Sequence, residues 1–316
     1  MAPRLPSVLP IPDQVRRLLS RPVPPSRPLP LRDSTPDPGL FGPDSVTWRV
    51  MREPRLLLAA GRALLLQAAN PLVAQGAIDH STYKTDPYGR LERTVRWVTV
   101  VSFGTTREAE RISGRVTDLH RRVAGKLPAT SATARVPAGA VYSADDPELL
   151  RWVHASFVDT MLVAHDSLVG GLTEQDRDAF VREWDAVARL MGLSRGGWDN
   201  AAAMRRYVDR QVNRGPALPG GGSLEVAATV LHPPVGSAWM RSATETLAFI
   251  ATGLLPAELR RGYGLPWNPA KAVAFATLTH SMRMATVALP RRLRVSPVYD
   301  LAVARSEGRW PASRAA

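Results

Sequence analysis

Start and stop signals cut this chain into helix-length pieces, and they leave room for little but helix. Asp86-Pro87 and Asp146-Pro147 each pair an N-cap acceptor with a proline at the first helical position, where the missing N–H costs nothing. Thr105-x-x-Glu108 reads as a capping box, and Thr173-x-x-Asp176 opens another segment in the same way. Gly104, Gly125, Gly170-Gly171 and Gly192 stand where those segments should stop. Helices are expected over 54–69, 86–103, 105–124, 146–169, 173–191, 199–213, 237–254, 269–288 and 298–306, with a linker over 216–223. The run 98–101 could be a strand by composition, but its flanks make it a buried helix, and no stretch sustains a period of two. The expected fold is all-α, a single large helical domain spanning 44–306.

The two ends differ from the middle. Residues 1–43 hold 12 of the 28 prolines, which predicts an extended arm without a candidate ligand, and 307–316 reads as a tail. The net charge is +13, with ten Arg against five acids in 1–62 and seven Arg against two acids in 283–316. That charge belongs to the ends, so a nucleic-acid partner is not expected, while peripheral contact with an anionic membrane through the basic termini stays open. Three Lys against 38 Arg point to coding bias in a GC-rich genome. The absence of cysteine excludes disulfides, thiolate nucleophiles, Cys-ligated zinc and iron–sulfur clusters. No signal peptide is recognisable. The most apolar stretches are broken by Arg62 and by Arg241 and Glu245, so a cytoplasmic protein is expected.

Few residues can carry chemistry. Phosphate loops, Gly-x-Ser-x-Gly elbows and His-Glu-x-x-His are missing, which leaves six histidines. His120 lies at the edge of the apolar stripe Ile112, Val116, Leu119, Val123, with Ala109, Ser113, Val116 and Ala124 as same-face neighbours. Side chains that small let a flat macrocycle approach with imidazole as iron ligand; the same pattern also describes a boundary histidine bonded to a neighbour. On the preceding helix Arg90, Thr94, Trp97 and Val101 share a face, so a guanidinium and a hydroxyl can address bound O₂ or a propionate, or simply cover the surface. His154 and His165 are eleven residues apart, about 16 Å along a helix, too far to share a metal, and Leu150, Val158 and Met161 make their surroundings core-like. His232 precedes two prolines in a loop, and His280 sits in an Ala- and Thr-rich helix.

Taken in order, several segments resemble a known family. They are 40–48 (LFGPDSVTW), Gly76-x-x-Asp79-His80-Ser81, Asp86-Pro87-x-x-Arg90-x-x-Arg93-Thr94, Val116-x-x-Leu119-His120-x-x-Val123-x-Gly125, the segment from Tyr142 to Pro147, and Trp152-Val-His154-Ala155. The chain is thereby identified as similar to the MpaB/rubber oxygenase (latex clearing protein-like) haem-dependent oxygenases of bacteria, closely over 40–170 and more loosely to about 305. The resemblance implies a globin-like core holding haem b, with iron on His120 (His154 as fallback) and with Trp97 and Val116 beside the cofactor. It implies Arg90 and Thr94 on the distal side, and O₂ and an apolar, alkene- or terpenoid-like substrate that is oxidised or cleaved, with an electron donor as a further partner. Arg93 departs from latex clearing protein, where a lysine precedes that threonine; a guanidinium is a poor ligand and stays charged. Asp79 is the nearest match, by position, to the family's acid/base carboxylate. Asn70-Pro71 stands where many relatives have His-Pro. Two other readings stay open from the residues themselves: a haem sensor without turnover, and a cofactor-free helical protein whose basic arms bind an acidic partner.

Overall fold

The structure is a computed structural model that describes residues 31–82, 84–194, 197–233 and 238–310. In chain order come α1 (Val46–Met51), a 3₁₀ turn (Pro54–Ala59) running into α2 (Ala60–Ala68), α3 (Pro71–His80), α4 (Pro87–Phe103) and α5 (Thr106–His120). Short antiparallel strands β1 (Ala124–Lys126) and β2 (Val141–Ser143) follow, with Gly125 opposite Tyr142. The rest is α6 (Pro147–Leu168), α7 (Glu174–Glu183), α8 (Asp185–Leu190), α9 (Ala201–Asn213), α10 (Gly221–Leu231), α11 (Ala238–Leu254), α12 (Ala257–Gly262), α13 (Pro269–Ala288), α14 (Arg291–Arg294) and α15 (Pro297–Ser306). The fold is all-α, and the chain from Leu31 onward is one compact unit.

The local signals do what their chemistry requires. Asp86 accepts from the amide of Gly89, Asp146 from those of Glu148 and Leu149, and Thr105 and Thr173 close reciprocal capping boxes. Gly170, Gly171 and Gly192 take the left-handed backbone of helix stops. Asn70-Pro71 is one more start: the Asn70 side chain accepts from Leu72 N at 3.0 Å and opens α3. Four expectations change. The stretch 54–69 begins as a 3₁₀ turn, and 173–191 breaks into α7 and α8 at Trp184. Gly125 is not the stop of α5, which ends at His120; it lies in β1 against Tyr142. The supposed linker contains the start of α10, where a Cβ on Gly221 would overlap the carbonyl of Thr130 and one on Gly222 would crowd Ile78 and Ser131. Those glycines serve close packing.

α6 is the central strut. Trp152, Ala155, Val158, Met161, Leu162, Ala164 and Leu168 are buried on it, and α2, the 3₁₀ turn, α9 and α13 pack around it. A charged cluster crosses this core. Buried Arg62 donates to Asp159 and Thr160, both at 2.6 Å, and to the Leu254 carbonyl at 2.9 Å. Arg205 brings a second cation to 3.0 Å from Asp159. Among the described residues no single helix is long and apolar enough to cross a membrane. The segment 54–68 with α3 meets the length and composition together, but is bent by 107° between them.

Candidate functional site: the open end of the α4–α5 hairpin

α4 and α5 form an antiparallel hairpin around Gly104-Thr105. Its register is set by the Trp97 indole, which donates to Ser113 Oγ at 3.3 Å. From that rung outward Thr94 comes level with Val116 and Thr117, and Arg90 with His120. Arg90 lies 14 residues before Gly104 and His120 15 after Thr105, each about 21 Å from the turn. The hairpin therefore delivers Arg90 and His120 to the same end.

The turn end is heavily bonded. Glu108 accepts from the amides of Arg32, Asp33 and Thr105, and Asp37 from the amide and hydroxyl of Thr106. Two carboxylates and the capping box thus sit at the positive end of α5. Arg305 on α15, fully buried, donates to the carbonyls of Phe103 at 2.8 Å and Asp37 at 3.1 Å. The segment 31–37 bends at 35–36 and is held here by these contacts.

The open end is different. His120 is half-buried, and its Nδ1 is buried without a hydrogen-bond partner among the described residues; Thr117 Oγ1, three residues earlier, is in the same condition. Burial holds the imidazole below its ordinary pKa, with Asp145 opposing that shift, so the ring is neutral at pH 7. On α4, Val100 to Phe103 are buried while most of the preceding helix is exposed or half-buried. Arg90 is half-buried. Thr94 is exposed and gives its hydroxyl proton to the Arg90 carbonyl at 3.1 Å. Arg93 is exposed and bonded to Asp86 at 3.1 Å and Thr82 at 3.0 Å. Trp97 and Val116 are half-buried, and Trp97 packs on the core.

The remaining candidates lie on α6 and on α3, and those on α3 meet the strands that follow α5. His154 stacks parallel to Trp198, ring centroids 6.2 Å apart, and burial alone lowers its pKa to about 4. His165 is buried, its pKa lowered to about 4 mainly by burial, and its Nδ1 lacks a partner among the described residues. Asp79 on α3 accepts from Tyr142 at 2.5 Å and Gln75 at 2.8 Å, and His80 Nε2 lies 3.1 Å from the Ala124 carbonyl. Thr117 and Tyr142 had no part in the candidate set; Thr117 could have been found from its i, i+3 spacing to His120. A groove of ≈330 Å³ beside α9 and α12, lined by residues such as Arg135, Leu218, Pro219 and Leu259, contains none of these side chains.

The family model described as ER-bound oxygenase mpaB/B'/Rubber oxygenase, catalytic domain, matches residues 48–284, and the chain belongs to that family. The match runs from α1 into α13 and includes every candidate residue above. No curated protein and no solved structure matches the chain. Membership makes the chain an oxygenase, acting with O₂ on a small-molecule substrate.

Proposed function

We propose that this oxygenase depends on haem b, which His120 would hold through its iron while Arg90 and Thr94 would address O₂ or a propionate. The observation that carries the reading is the buried His120 Nδ1, without a hydrogen-bond partner among the described residues, at the end of the hairpin where Arg90 also arrives. A metal-bound histidine must be neutral, which burial favours for His120, and its unpartnered Nδ1 leaves the ring free of a competing protein bond at that nitrogen. When bound, haem supplies the O₂-activating redox chemistry, and the protein supplies position, electrostatics and exclusion of water.

The division of labour follows from the side chains. Arg90 keeps its charge at any working pH, so it can hold a propionate or stabilise negative charge that develops on oxygen. Thr94 gives its proton to the backbone, which makes its oxygen an acceptor that orders neighbouring donors. Trp97 and Val116 supply apolar wall. Arg93 is engaged with Asp86 and Thr82 and leaves the iron to other ligands. The substrate is an apolar alkene or terpenoid, oxidised or cleaved in the cytoplasm, with electrons from a separate donor where the oxidation requires them.

The test is an absorption spectrum of the protein purified from haem-replete cells, with and without dithionite, followed by O₂ uptake with a terpenoid or carotenoid. A haem spectrum with substrate-dependent uptake is expected. A colourless, folded protein overturns haem dependence; haem without uptake on any apolar alkene leaves a binding protein.

A further inference from the structure

The chain just beyond His120 is held by contacts that converge on one tyrosine. Val123 N donates to the His120 carbonyl and Ala144 N to the Val123 carbonyl, both at 2.9 Å, so the last turn of α5 leads straight into the β1–β2 pair. Opposite β1 stands Tyr142, 3% exposed. Its ring occupies a slot between two glycines: a Cβ on Gly125 would overlap the Tyr142 hydroxyl, and one on Gly76 would touch the ring at 3.5 Å. At the end of the slot the hydroxyl donates to Asp79 at 2.5 Å. Burial, with the Asp79 carboxylate next, pushes the phenol well above its usual pKa, so it remains a donor. Gln75 donates to the same carboxylate at 2.8 Å and accepts from Ser131 at 2.9 Å, and His80 meets the Ala124 carbonyl at 3.1 Å. Helix α3 thus grips both strands where α5 ends.

We infer that Tyr142, seated between Gly76 and Gly125 and bonded to Asp79, is a positioning residue that sets where the end of α5 places the His120 imidazole. The inference rests on His120 being the haem ligand. It gives Asp79 the task of holding Tyr142. A ligand on a frayed helix end would swing; a buried ring bonded to a neighbouring helix removes that freedom.

The test uses full-length protein and two readouts: amide exchange of Val123 and Ala144 without added haem, and the iron–imidazole stretch of the ferrous haem-loaded form. Tyr142→Phe keeps the ring and removes the hydroxyl; Asp79→Asn removes the charge and leaves one acceptor oxygen for two donors, Tyr142 and Gln75. Tyr142→Phe is expected to speed exchange about tenfold, as for loss of one bond to a charged group, and to shift the stretch. Asp79→Asn, which keeps one acceptor but not the charge, is expected to move both readouts in the same direction and by less. Unchanged exchange in Tyr142→Phe overturns the inference. So does faster exchange with an unmoved stretch, since the contact then only stabilises. A wild-type protein without haem, or His120→Ala with the wild-type stretch, overturns the proposed function and removes the ligand that Tyr142 would position.

Discussion

The two ends of the α4–α5 hairpin share the same helices and differ in nearly everything else. At the turn, Glu108, Asp37 and Arg305, from three separate parts of the chain, bind amides and carbonyls, and Val101 and Phe103 are buried. At the open end, Thr117 Oγ1 and His120 Nδ1 are buried without hydrogen-bond partners among the described residues, as Ser102 Oγ and Arg305 Nη1 are at the turn, and α4 is exposed or half-buried from Pro87 to Thr99. An unpaired buried polar atom costs about 1–3 kcal/mol, so a fold keeps one only where something else is gained. The turn end is tied to distant parts of the chain, whereas the open end leaves a histidine ring nitrogen unbonded beside the helix end that Arg90 reaches, as expected where local rules give way at a site.

Perturbing each end separately breaks or sharpens that contrast. Arg305→Ala removes a buried cation and strands the Phe103 and Asp37 carbonyls; we expect about 3 kcal/mol or more of lost stability in denaturant unfolding, with a normal haem spectrum in the fraction that stays folded. Arg90→Ala should cost less stability than Arg305→Ala, because Arg90 is half-buried rather than fully buried, and lower turnover roughly a hundredfold, the usual cost of losing a charged donor to developing negative charge. Equal stability losses from both changes would erase the distinction between the ends.

A milder probe is pH. His154 and His165 are held near pKa 4 against about 6.5 in the unfolded chain, chiefly by burial, so the unfolded state binds more protons below pH 6.5. Their contribution is complete above pH 6.5 and is lost as pH falls toward 4, at up to about 1.4 kcal/mol per pH unit for each ring. His154→Gln should flatten the acid limb of a stability–pH curve by about one proton; an unchanged slope would mean the ring is not buried as described. The smallest expected effect comes from the arm. Removing 1–30 leaves the 31–37 contacts intact and should not move stability, whereas removing 1–37 also takes the Arg32, Asp33 and Asp37 partners from α5 and should cost about 1–2 kcal/mol. Identical midpoints for the two truncations would show that this contact contributes nothing.

Local features were legible in the chain itself. Asp86, Thr105, Asp146 and Thr173 announce helices because a cap acts within three residues, and the Arg90–Thr94–Trp97 face follows from helical spacing. What escaped depends on distance. Arg305 lies 202 positions from Phe103, and nothing near either residue signals the bond. Gly125, Gly221 and Gly222 look like stops or linkers until the groups packed against them are seen. Spacing put His120 at the edge of a stripe and left open whether a neighbour satisfies it; the unpartnered Nδ1 is a property of the folded environment.

The central claim is that the imidazole at the open end holds the iron and the stacked imidazole of α6 does not. His120→Ala and His154→Ala, purified side by side and compared for haem content and for the ligand signature in their absorption spectra, test it directly. Loss of stably bound haem in His120→Ala, with His154→Ala less stable but spectrally like wild type, is the expected result. Full haem with an unchanged signature in His120→Ala, and loss in His154→Ala, would contradict the account and move the iron to α6.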